Sequence, residues 1–109
     1  PEREAFFLRI APALAAAGVM RLFWMEIDGA AAAASLCFDF AERRLLYNSG
    51  YDPAYASLSV GLLLKSHCIQ DAIERRMAYF DFLRGGEPYK YDLGGRDRAL
   101  YRLVLRRKP

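Results

Sequence analysis

The chain has one histidine, His67, and two cysteines, Cys37 and Cys68, with no CxxC and no Cys/His grouping. That shortage argues against a zinc site. No apolar run approaches the roughly 20 residues that a helical bilayer span requires, and no signal peptide opens the chain. Internal repeats and low-complexity linkers are absent as well, so the 109 residues are expected to form a single domain around one core. The opening Pro1-Glu2-Arg3-Glu4 lacks an initiator methionine, and the expectation is a domain excised from a longer protein. Both cysteines fall inside expected regular elements. Two small buried thiols in a reducing compartment, the cytoplasm, are their plain reading.

What is present is an ordinary globular mixture, 54% hydrophobic and 27% charged, which does not suggest a disordered chain. The net charge of +3 comes largely from the end, in Arg96, Arg98, Arg102, Arg106, Arg107 and Lys108. Such an excess suits a domain that handles a polyanionic ligand. No interleaving of aromatic and basic residues marks a nucleic-acid module.

Residues 2–17 are rich in alanine and leucine and predict a helix that Gly18 stops, with Pro12 as a kink or a restart. Residues 19–28 are dense in β-formers on both faces, which predicts a central strand covered on two sides. Asp28-Gly29 is a hairpin signal, followed by a strand over 30–40. A second short turn, Ala41-Glu42-Arg43, leads into a third strand ending at Tyr51. Residues 52–61 read as a loop, with Asp52-Pro53 as a turn signal. Residues 62–76 form an amphipathic helix with Leu62, Ile69, Ala72 and Ile73 on the sheet side and His67 outward. A short strand over 78–82 returns by a right-handed crossover. After a turn or short helix, 99–107 alternates Tyr101, Leu103 and Leu105 against Arg102 and Arg106 and predicts a last strand. The fold class is therefore α/β (α+β), a mixed, largely antiparallel sheet flanked by helices.

The informative junction is the one that enters the long helix. A glycine there, Gly61, lets backbone N–H groups approach an anion, and the helix dipole points its positive end at the same place. Ser59 is a candidate N-cap whose hydroxyl could also meet a phosphate. Lys65 is read as a solvated lysine. Glu87 and Lys90 stand three apart, a spacing that suits an ion pair on a short helix, and Tyr89 between them is a packed aromatic or a proton donor.

Five segments in this order resemble a known family: 21–29 ending in Asp-Gly, Tyr51-Asp52-Pro53-Ala54-Tyr55, Ser59-Val60-Gly61-Leu62-Leu63-Leu64, Asp81-Phe82-Leu83-Arg84-Gly85, and Glu87-Pro88-Tyr89-Lys90. The order of elements is similar to the GNAT acyltransferase fold. The local sequences resemble the branch related to cellulose-biosynthesis acetyltransferases and Fem-type aminoacyl transferases. The resemblance covers about residues 19–107 and implies a partial or truncated GNAT domain that lacks the first strand.

It further implies N-acyl transfer from acetyl-CoA, or another acyl-CoA, to an amine of a small molecule, a glycan or a peptide precursor. Asn48, Tyr51, Ser59, Val60, Gly61, Leu62 and Leu63 would hold the coenzyme. Glu87 would act as general base and Tyr89 as general acid, with Asp81 and Lys90 toward the acceptor. The family's loop pattern, Gln/Arg-x-x-Gly-x-Gly/Ala, is kept at Gly61 but has Leu58 and Leu63 at its ends. Two alternatives follow from the same likeness: a Fem-like enzyme using aminoacyl-tRNA, and a non-catalytic half of a tandem pair with a second GNAT domain in the same chain.

Overall fold

The computed structural model describes residues 1–108. Helix α1 (Glu2–Ala16) leads into strands β1 (Met20–Ile27), β2 (Ala30–Phe40) and β3 (Arg43–Tyr51). A 3-10 helix (Pro53–Leu58) precedes helix α2 (Val60–Glu74), strand β4 (Tyr79–Asp81) and helix α3 (Pro88–Asp92). The sheet runs β1-β2-β3-β4, antiparallel except for β4, which lies parallel to β3. This is the mixed, largely antiparallel sheet expected from the sequence.

Two tight turns build the antiparallel part. Asp28 and Gly29 both have positive φ, 51° and 81°, the backbone a two-residue hairpin needs. Ala41 and Glu42 adopt the same conformation, φ 51° and 62°, without a glycine. The strain is offset locally, because the Glu42 carbonyl accepts from the N–H of Ala78 and of Tyr79 and so anchors the start of β4.

Helix α2 packs on one face of the sheet. Its buried residues are Val60, Leu64, Cys68 and Ala72, a strict four-residue spacing, and the first three cluster with Ala33, Cys37 and Leu46. That corrects the expected face: Leu62 and Ile73 are exposed, while Ala72 alone of those named is buried. Small residues win the contact because they let the helix lie close on a sheet floored by Ala32, Ala33, Ser35 and Cys37. The two thiols are buried and free, and the neighbouring Cys68 together with burial pushes the Cys37 thiol up.

Strand β1 is an edge rather than the expected central strand, and Leu22 and Trp24 on its far face are exposed. Helix α1 touches that face through Phe7, which packs on Tyr47 at 5.5 Å between ring centroids, and it buries no residue of its own. Pro12 sits inside α1 without ending it. The strand expected over 99–107 is not formed: no regular element follows α3 among the described residues, and Leu100, Tyr101, Leu103 and Leu105 are exposed. Alternation supplies a face but not a ladder partner, and β4 offers an edge only three residues long.

The seam between sheet and helix is held by Arg44, which is fully buried. Its Nε and Nη2 donate to the two carboxylate oxygens of Asp39, both at 2.8 Å. Its Nη1 donates to the Cys68 carbonyl at 2.9 Å and to Asp71 at 2.7 Å. Arg21 reaches the same Asp39 from β1. Burial alone would lower the Arg44 pKa, yet the hydrogen bonds to Asp39 and Asp71 outweigh it and raise it.

Replacing Arg44 by methionine removes the bidentate partner of the buried Asp39, leaves it to Arg21 alone, and is expected to cost about 3–5 kcal/mol in urea unfolding. A loss under about 1 kcal/mol would show that the network contributes no net stability. Burial alone would raise the Asp71 carboxyl, but hydrogen bonds from Arg44 and Arg75 hold it below its ordinary value. A depressed carboxylate contributes stability that is present above its unfolded pKa and lost as pH falls through the folded one. Melting temperature is therefore expected to fall below about pH 4, and less steeply in Asp71→Asn than in the wild type.

Candidate active site

Strands β3 and β4 pair only from Arg43↔Tyr79 to Leu45↔Asp81. Beyond that point β4 ends and β3 continues from Leu46 to Tyr51 with no neighbour on that side. The two chains part like a V. A cavity of about 190 Å³ opens there, lined among others by Leu46, Asn48, Phe82, Glu87 and Tyr89. On its other side β3 pairs with β2 through a bulge, since Leu36 faces Asn48 while Cys37 faces Leu46. Tyr47 is the extra residue, left with no opposite on β2. A second cavity of about 400 Å³ lies under the start of α1, lined by Arg3, Glu4, Phe7, Leu36, Tyr47 and Asn48. Tyr47 and Asn48 border both spaces.

The start of α2 stands beside the end of β3. Ser59 has left-handed backbone, φ 52°, and occupies the N-cap position, but its hydroxyl makes no cap hydrogen bond. Its carbonyl accepts the first intrahelical bond, from Leu63 N–H at 3.0 Å. The amides of Val60, Gly61 and Leu62 have no acceptor among the described residues. Gly61 does not have positive φ, and a Cβ there would meet only Tyr51 Cδ1 at 3.6 Å and Lys65 Nζ at 3.8 Å. Neither backbone strain nor internal packing requires glycine at this position. What its missing side chain provides is room for an external group against free amides.

The expected site residues divide. Asn48 borders the V, and its Oδ1 accepts from Ser49 N–H. Tyr51 is exposed at the end of β3, against Gly61. Val60 faces the core, so only its backbone can serve a ligand, whereas Leu62 and Leu63 are partly exposed. The expected loop before the helix is a 3-10 turn, opened by Asp52, whose Oδ1 accepts from Ala54 N–H. Asp81 is occupied locally, accepting from Leu83 N–H at 2.7 Å, and it does not line the cavity.

Glu87 and Lys90 pair at 2.6 Å. Lys90 is buried and also donates to the carbonyls of Arg84 and Gly85, closing the loop between β4 and α3. The hydrogen bond from Lys90 keeps the Glu87 carboxyl below its ordinary range, which makes it a weaker proton acceptor. Tyr89 lines the cavity, edge-on to Phe82, and its hydroxyl has no partner among the described residues.

One residue read as solvated belongs here instead. Lys65 is half-buried, with Nζ 4.7 Å from the centroid of the Tyr89 ring, and burial lowers its pKa. Its position four residues after Gly61 was the available sequence signal. The contact with α3 was not in the sequence.

A family model described as an acetyltransferase (GNAT) domain matches residues 1–91. A search of curated protein sequences finds no match. Among solved structures, an aminoglycoside acetyltransferase with a CoA-based bisubstrate analogue superposes with a TM-score of 0.67 at 15% identity, over 94% of this chain and 78% of that one. An aminoglycoside acetyltransferase from an uncultured soil metagenomic sample, in complex with sisomicin, gives 0.66 at 10% identity over 91% and 74%. A ribosomal-protein-alanine N-acetyltransferase from Escherichia coli gives 0.57 at 22% identity, over 69% of this chain and 49% of that one. These likenesses are likenesses of fold, and this chain spans about half the length of the Escherichia coli protein.

Lys90→Met strips the donor from two loop carbonyls and is expected to cost about 1–3 kcal/mol in thermal or urea unfolding. Glu87→Gln, which keeps those carbonyl bonds, should cost less. Equal losses in the two variants would mean that the ion pair, not the carbonyl contacts, holds the loop.

Proposed function

The chain belongs to the acetyltransferase (GNAT) domain family, and on that premise we propose that it transfers an acetyl group from acetyl-CoA to an amine in the V between β3 and β4. The observation that carries this reading is the uncapped start of α2 beside an unpaired strand edge. GNAT acetyltransferases use acetyl-CoA, and a structural neighbour is bound to CoA. The donor, when bound, supplies an activated thioester.

In this reading the chain's residues bind and orient. The amides of Val60, Gly61 and Leu62, with the Ser59 hydroxyl, hold the diphosphate at the positive end of the helix dipole. Backbone groups of β3 from Leu46 to Tyr51, free of β4, hold the amide-bearing arm as a strand would hold its neighbour. The bulge at Tyr47 aims an N–H that is outside the β2 ladder at a carbonyl oxygen, where a fixed dipole stabilises developing charge. Positioning itself contributes most, since well-oriented reactants reach effective molarities of about 10⁵–10⁸ M.

Tyr89, with its hydroxyl free in the cavity, holds a proton for the leaving thiolate. Glu87 serves the loop through Lys90, and the amine loses its proton to water. The acceptor enters from the second cavity, because Tyr47 and Asn48 border both spaces and molecules in the two would meet at the bulge. Structural neighbours act on aminoglycosides or on a ribosomal protein's alanine, and for this chain the acceptor class is an amine of a small molecule, glycan or peptide. The quoted segments at 51–55, 59–64, 81–85 and 87–90 support the cellulose-biosynthesis and Fem-related branch. The buried free thiols suit the cytoplasm.

Calorimetry on the full-length protein is expected to show acetyl-CoA binding, which Gly61→Asp weakens by at least about 30-fold, roughly 2 kcal/mol. The same change places a negative charge at a helix N-terminus, which favours the fold, so melting temperature should hold or rise. Normal binding by that variant would remove the diphosphate assignment. Glu87→Gln should keep kcat within about threefold in an acetyl-transfer assay, whereas a loss near 100-fold would restore Glu87 as the base.

A further inference from the structure

Lys65 is a cation in a place that does not favour one. Long helical side chains lean toward the helix N-terminus, and this one runs back over the first turn of α2 until Nζ lies 3.8 Å from where a Gly61 Cβ would be. The positive end of the helix dipole is there, and burial disfavours the charged form as well. No carboxylate among the described residues pairs with it. The Tyr89 ring steadies the ammonium, which also borders Gly61 at the start of the helix. The approach to the helix, residues 52–59, carries no Lys or Arg, so Lys65 is the first cation after that turn. An ammonium, a helix start and a glycine without an internal reason converge on one point. A doubly charged group between them would satisfy all three.

We propose that Lys65 is the charged ligand of the donor's diphosphate, reaching it from inside α2 and held in place by the Tyr89 ring. This rests on the donor reading above and adds the residue that supplies the positive charge. It also links the phosphate site to α3, since the ring that carries Lys65 is the one that presents a hydroxyl to the cavity.

The test is calorimetry on the full-length protein with acetyl-CoA, dephospho-CoA and phosphate-free S-acetylpantetheine. Wild type is compared with Lys65→Met and Lys65→Arg, at low and high salt. Lys65→Met is expected to weaken acetyl-CoA and dephospho-CoA alike by about tenfold or more, and to flatten the salt dependence. Pantetheine binding should stay within about twofold, and Lys65→Arg should recover most of the loss. Unchanged acetyl-CoA binding in Lys65→Met overturns the proposal. So does an equal loss of all three ligands, which would assign Lys65 to packing on Tyr89. If the wild type binds S-acetylpantetheine but neither phosphate-bearing ligand, or binds none, the donor reading itself fails and this inference fails with it.

Discussion

A single buried guanidinium sets the geometry on which the site depends. Arg44 ties Asp39 of β2 to the Cys68 carbonyl and Asp71 of α2, and Asp39 in turn receives Arg21 of β1. Taking such a charge out of water costs several kcal/mol unless its donors are all met, so the helix cannot slide along the sheet without leaving one unpaired. The small buried residues between sheet and helix, Ala33, Ser35, Cys37 and Cys68, would by themselves allow several registers of a helix on a flat floor. The polar contact selects one. Because Arg44 lies in the paired part of β3 and Asp71 near the end of α2, the same contact fixes where the opposite end of that helix meets Tyr51.

The cleft follows from a length difference. β4 has three residues and β3 has nine, so pairing stops at Leu45 and the rest of β3 keeps a free edge. A bulge on the opposite side of the same strand sets Tyr47 outside the other ladder. A strand with one free edge and one displaced residue can receive an extended ligand while presenting backbone groups at its middle. The helix start stands at one end of that slot with its first amides free, and the loop locked by Lys90 lines the wall. Four separate local features thus border one cleft, with Asn48 and Tyr89 in its lining and Lys65 between Gly61 and the Tyr89 ring.

Much of this was legible in the residues. The two hairpin turns, the three antiparallel strands, the helix after Gly61, the short returning strand and the Glu87–Lys90 spacing are all local, and each is set by turn chemistry or by side-chain period. The errors share a cause. β1 reads as central because both its faces are apolar, yet sheet order is decided by which edges find partners. The buried side of α2 departs from the apolar pattern because Leu62 and Ile73 are more apolar than Cys68 and Ala72, whereas close packing rewards the small ones. Residues 99–107 alternate like a strand but have no ladder to join.

The sequence by itself determined the elements from α1 to β4 apart from the 3-10 turn, their order, the glycine junction at Gly61 and, through five ordered segments, the family. Those are properties of neighbours along the chain. Tertiary structure alone decided that Arg44 is buried at the seam, that β3 and β4 part after Leu45, that Lys90 is a structural anchor and that Lys65 rests on Tyr89. Each of these joins residues some five to 36 positions apart or depends on where a partner strand ends, and contacts of that kind exist only once the chain has folded back on itself.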